Sequence, residues 1–198
     1  MAAKSTRDHL IDVGVGLMHR NGYNATGLTD ILKAADVPKG SFYHHFGSKE
    51  DFAAAALERY LTREADHSVA VLGGSKTSPL RRLKRYFSDL MKTHGQNGPI
   101  QGCMLGRFSL EIAAESPQLR KQMSGAFTHW QHTIATVIRQ AVSQKELPAD
   151  TDAETLAGFL LNSWEGALLR SQAEKSDAPL ETFMHYAFDA LLAKQSKV

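Results

Sequence analysis

Apolar residues recur at helical spacing along nearly the whole of this 198-residue chain, and no stretch alternates long enough to predict a strand. The first segment, 6–21, carries Leu10, Val13, Leu17 and Met18 at separations of three, four and one, which predicts an inward stripe. Asn21-Gly22 suits a left-handed cap at its end, and Tyr23 and Leu28 are expected to pack back on that helix. A short helix over 28–35 follows, with Thr26 or Thr29 as its N-cap and Ile31, Leu32 and Ala35 as its apolar face. Asp36-Val37-Pro38 interrupts, because the residue before a proline avoids the helical region and the proline can start the next helix. The pattern then predicts a second short helix over 39–46, closed by Gly47. Ser48 is placed to cap a long third one, with Asp51 at the capping-box position. That helix carries Phe52, Ala55, Ala56, Leu57 and Tyr60 and fades near Gly73-Gly74. Loops at 73–79 and 95–102 bracket an amphipathic helix over 80–94, and further helices are predicted over 103–114, 117–146, 152–174 and 179–194. The fold class expected is all-α, without repeats.

Composition narrows the setting. Apolar residues make up 42% of the chain, enough for an ordinary globular core. No apolar run reaches the roughly 18–20 residues that span a bilayer. The first twelve residues mix charge and apolarity and do not resemble a signal peptide. Cys103 stands alone, so no intramolecular disulfide can form, and a cytoplasmic protein is expected. The formal net charge of +2 is far from the strong basic bias of many nucleic-acid proteins. Locally, however, Lys33, Lys39 and Lys49 are opposed by Asp36 alone between 33 and 49, with His44 and His45 able to add positive character.

Two short helices joined by a tight turn and braced by a longer first helix make a helix-turn-helix. A B-DNA major groove, about 12 Å wide, admits one helix whose outward residues are small or polar and whose apolar anchors lie behind. The run Lys39-Gly40-Ser41-Phe42-Tyr43-His44-His45-Phe46 has that pattern, because Phe42 and Phe46, four apart, share a face. Gly40, a poor helix former near the start, suits close approach of backbone to DNA. The stretch 26–52 resembles the N-terminal signature of the TetR family of repressors. That family's run of Lys-Gly, a small residue, an apolar residue, Tyr, any residue, His or Tyr, and Phe, followed by Ser-Lys-Glu, matches 39–46 and 48–50 almost position by position. The resemblance implies that Tyr43 and Lys49 contact phosphates and that Lys39, Ser41 and His44 reach the groove. The candidate DNA-binding set is Thr29, Lys39, Gly40, Ser41, Tyr43, His44, His45 and Lys49. Two positions depart from the family: Asp36 stands where glycine is common at the turn, and Gly27 replaces a hydroxyl or β-branched residue.

The same resemblance divides the chain into a DNA-binding domain over 1–50 and an effector-binding and dimerisation domain over 51–198. It also implies a homodimer on a palindromic operator. The residues agree: Phe159, Leu160, Ser163, Trp164, Ala167, Leu168 and Ser171 form one stripe of small and bulky side chains, and Phe183, Tyr186, Ala187, Ala190 and Leu191 a second. These stripes suit an interface between two copies, with the core of one chain as the alternative. For sensing, Cys103 opens a helix after Gly102, where the helix end stabilises a thiolate, and Arg107 one turn on could add positive potential. The segment 102–106 with Glu111 and Glu115 resembles a TetR branch that detects electrophiles, typified by the N-ethylmaleimide-responsive repressor, which implies covalent modification and release from DNA. A buried structural thiol reads as well. A non-covalent effector would instead meet Phe87, Met91, Phe108, Phe127, Trp130 and Trp164, a set that also reads as core. Three alternatives remain open, one of them a TetR-like activator or architectural dimer that lacks an effector. Cys103 with His94, His129 or His132 could make a thiol enzyme, though no local signature supports one. His129 and His132, three apart, could hold a metal, but a third ligand is not evident. The expectation is a regulator that is not an enzyme and needs no cofactor.

Overall fold

The computed structural model describes residues 5–74, 76–95 and 102–192. Among them are nine α-helices, no strand, and one π-helical turn, His185–Leu191. The α-helices are α1 Thr6–Asn21, α2 Leu28–Ala35, α3 Lys39–His45, α4 Lys49–Leu72, α5 Pro79–Gly95, α6 Met104–Ile112, α7 Pro117–Ser143, α8 Ala153–Glu174 and α9 Ala178–Met184. The all-α expectation holds, with most boundaries within a few residues of those read from the pattern. The last helix is the exception, since its winding changes to π at His185. The expected Gly98-Pro99 loop and the last two residues of the 179–194 helix lie outside the described residues.

By its contacts the chain forms two compact units, one of Met1–Glu64 with Cys103–Ala126, the other of Ala65–Gly102 with Phe127–Val198. In the first, α1 packs on α2 and α3 through Leu10, Ile11, Gly14, Val15 and Met18. Val13 and Leu17, expected inward, are only half-buried. Gly14 explains the different face. A Cβ there would collide with the Phe52 ring, so the bare backbone seats an aromatic that a hydrophobicity pattern assigns to no partner. The second unit packs around Phe87, whose ring centroid lies 5.4 Å from Trp164, 5.1 Å from Phe183 and 5.8 Å from Phe188.

Local chemistry sets the element ends. Ser48 caps α4 as expected: its Oγ accepts the Asp51 N–H at 3.0 Å and donates to the Asp51 carboxylate at 2.9 Å. Neither Thr26 nor Thr29 caps α2. Thr26 is fully buried and donates to the Gly22 carbonyl at 2.6 Å, Thr29 is exposed, and Gly27 takes the cap position with its N–H on the Asp30 carboxylate at 3.2 Å. Asp36 ends α2 in the left-handed region at φ 52°, ψ 46°, doing there what glycine does elsewhere.

Candidate DNA-binding surface and switch residues

Helix α3, the candidate reading helix, is anchored by aromatic packing. Phe42 and Phe46 are buried and meet Phe52 at centroid distances of 5.3 and 5.0 Å. Arg7 lies over Phe46 at 5.3 Å, and His9 Nε2 meets the Ala35 carbonyl at 2.9 Å, tying α1 to the end of α2. With that face fixed, Lys39, Gly40, Tyr43 and His44 are exposed, Ser41 and His45 half-buried, and Thr29 is exposed on α2. Nothing lies within 4 Å of where a Gly40 Cβ would stand. Lys49 is half-buried at the start of α4. Its Nζ rests 4.4 Å above the Tyr23 ring, and burial pulls its pKa down while the Glu111 carboxylate opposes that shift. Tyr23, expected against α1, meets Lys49 on its face and Phe108 of α6 edge-on, at 5.9 Å and 78°.

Helix α6 belongs to the same unit as the reading helix. Cys103 takes its N-cap position, is only 7% exposed, and its Sγ accepts a long hydrogen bond from the Tyr60 hydroxyl at 3.9 Å. Tyr60 tilts against His19 at 5.3 Å. The Arg107 guanidinium, expected to lend the thiol positive potential, donates instead to the carbonyls of Arg20 at 2.5 Å and His19 at 3.3 Å, at the end of α1. Arg107 also pairs with Glu111 at 3.6 Å, and Glu111 accepts the Asn24 N–H at 2.8 Å. Of the six residues expected around a non-covalent effector, Phe108 lies in the first unit; Phe87, Met91, Phe127, Trp130 and Trp164 lie in the second. His129 and His132 are exposed; His132 Nδ1 lies 3.3 Å from Glu154, and no metal-holding cluster occurs among the described residues.

The expected interface stripes divide by depth. Leu160, Trp164, Leu168 and Ser171 point into the core of the second unit, and Phe183 and Ala187 are nearly buried. Phe159 and Tyr186 are 54% and 64% exposed, with Ser163, Ala167 and Ala190 half-buried beside them. Together with Leu191 these line an open, largely apolar groove of about 800 Å³, with Arg170 in its wall.

Residues 10–56 match the family of bacterial regulatory proteins described as the tetR family, and residues 79–187 match the tetracyclin repressor-like C-terminal domain. The chain belongs to the TetR family of transcriptional repressors. It is 33% identical over 198 residues to the HTH-type transcriptional repressor DhaR of Mycobacterium sp. (strain GP1), covering 100% of this chain and 98% of that one. To the transcriptional regulator AcuR of Cereibacter sphaeroides it is 37% identical over 184 residues, covering 91% and 83%. The crystal structure of reduced NemR from Escherichia coli superposes with a TM-score of 0.86 at 29% identity, covering 93% of this chain and 95% of that one.

In this TetR-family regulator the sequence pattern missed two groups of residues. Tyr23 and Glu111 flank Lys49, and only the glycine before Tyr23 hinted at an unusual turn. Arg82 is 5% exposed, donates to the carbonyls of Leu72 (2.7 Å) and Gly74, and also bonds the Gln140 side chain. It fastens the end of α4. In sequence it stands among Arg81, Lys84 and Arg85, and nothing distinguishes it from them.

Proposed function

We propose that this chain is a cytoplasmic homodimeric repressor that places α3 in the major groove of a palindromic operator and leaves it when an electrophile modifies Cys103. The observation that carries the DNA reading is the locked face of α3: Phe42 and Phe46 are held inward against Phe52, so Lys39, Gly40, Tyr43 and His44 face outward as a set. Tyr43 and Lys49 serve the phosphates, and Lys39, Ser41 and His44 the base edges, with Thr29 and His45 beside them. The DNA-binding part is 1–50, and 51–198 carries effector response and pairing. The α8–α9 groove is the face that a second copy covers, which sets two reading helices one DNA turn apart.

The thiol trigger is supported by position. Cys103 lies in the compact unit that holds α3 and touches Tyr60 of α4, so an adduct on Sγ would have no room without disturbing that packing. The relative NemR was crystallised in a form described as reduced, which agrees with a regulator whose state follows its thiols. The same burial favours a second reading, in which a non-covalent ligand in the aromatic core around Phe87 and Trp164 is the effector.

A gel shift on the intergenic DNA upstream of the gene tests both parts. The wild-type protein should retard the fragment and release it on addition of N-ethylmaleimide, whereas Cys103→Ser should stay bound. No retardation defeats the operator reading. Release of Cys103→Ser at the wild-type reagent concentration defeats the thiol trigger and leaves the non-covalent effector.

A further inference from the structure

A lysine that meets a phosphate must give up rotamer freedom unless its side chain is already held in place. Lys49 is ordered. Its Nζ stands 4.4 Å over the Tyr23 ring, well inside the roughly 6 Å at which a cation is attracted to an aromatic face. The ring beneath it is fixed in turn. Tyr23 follows Gly22, whose φ of 86° sends the chain out of α1 in a direction that L side chains rarely take, and a Cβ at Gly22 would strike the Glu111 carboxylate. The turn is gripped from α6: Phe108 meets the ring edge-on at 5.9 Å, Glu111 holds the Asn24 N–H at 2.8 Å, and Arg107 holds the Arg20 carbonyl at 2.5 Å. The ammonium therefore rests on Tyr23 in the turn after α1, that turn is braced by Phe108, Arg107 and Glu111 of α6, and none of these residues lies on α3.

We infer that Tyr23 is a positioning residue for operator binding: its ring face holds the Lys49 ammonium ready for the DNA backbone, and Phe108, Arg107 and Glu111 of α6 hold the ring. The inference rests on the proposed phosphate contact of Lys49. Tyr23 acts through the lysine, and its hydroxyl is not required.

The experiment is the salt dependence of operator binding by the full chain. Each phosphate contact adds about 0.9 to the slope of log K against log salt. Lys49→Gln should lower the slope by about 0.9 per subunit. Tyr23→Leu should remove at least half of that amount and weaken binding about 3- to 10-fold at low salt, and Tyr23→Phe should match wild type. In the Lys49→Gln background Tyr23→Leu should change the slope no further. A wild-type slope for Tyr23→Leu beside a lowered slope for Lys49→Gln overturns the positioning role and leaves the phosphate contact standing. A wild-type slope for Lys49→Gln overturns the phosphate contact, and the role of Tyr23 with it. Should Tyr23→Leu fail to fold, the wild-type protein suffices: the Lys49 Cε protons should show an upfield ring-current shift by NMR, and their appearance at the ordinary lysine position overturns the proposal.

Discussion

Phe42 and Tyr43 are neighbours in sequence and opposites in duty. Phe42 is fully buried among Phe46 and Phe52, whereas Tyr43 is 53% exposed and stands 5.9 Å from the Lys39 ammonium. Removing the Phe42 ring leaves a cavity under the reading helix, so Phe42→Ala should destabilise the protein by about 3–5 kcal/mol in urea unfolding. Tyr43→Phe should leave the unfolding midpoint unchanged, because the lost hydroxyl sits at the surface. Gly14 has a similar importance from the opposite direction, since its missing side chain is the space that the Phe52 ring occupies. The residues that fix α3 are thus mostly silent about DNA, and those that face outward contribute little to the fold.

At the scale of elements, caps govern where helices begin. Asp152 is the clearest: its Oδ1 accepts the N–H groups of Glu154 and Thr155 at 3.1 Å, and its other oxygen takes the Thr155 hydroxyl at 2.6 Å. The Thr155 hydroxyl above all, and then the backbone, hold this carboxyl below its ordinary pKa of 3.8. A folded-state pKa below the unfolded one means that the ionised form stabilises α8, fully so above about pH 4 and progressively less as pH falls through the lowered value. The melting temperature of Asp152→Asn, followed by circular dichroism, should therefore fall less steeply than wild type between pH 5 and pH 2. The Ser48–Asp51 capping box and most of the helix boundaries are legible in the sequence, because each is marked by residue types with a strong preference for that position. Val13 and Leu17 on α1 and the cap of α2 depart from the pattern, each for its own reason. Gly14 and Thr26 owe their places to Phe52 and to the Gly22 carbonyl, partners that a hydrophobic pattern does not name. The setting of Lys49 was out of reach, since the contact between Asn24 and Glu111 joins residues 87 apart. Cys103 was legible as a helix start, but the direction of Arg107 depended on carbonyls at the end of α1.

For the whole molecule, the α8–α9 groove is the open apolar feature on which the proposed pairing rests. An apolar surface bearing Phe159 and Tyr186 in water is costly, and covering it with a second copy removes that cost. Phe159→Glu should shift the protein toward monomer in sedimentation equilibrium and weaken operator binding together with it, while the helix content stays at the wild-type level. A monomer that still binds operator as tightly as wild type would show that pairing occurs elsewhere. Under the proposed pairing the groove also turns copy number into information. While single chains predominate, the paired, operator-competent species rises with the square of their concentration, so halving the number of chains cuts it about fourfold. Two daughter cells that inherit unequal shares of this regulator would then differ in how firmly the target gene is silenced before any effector reaches either of them.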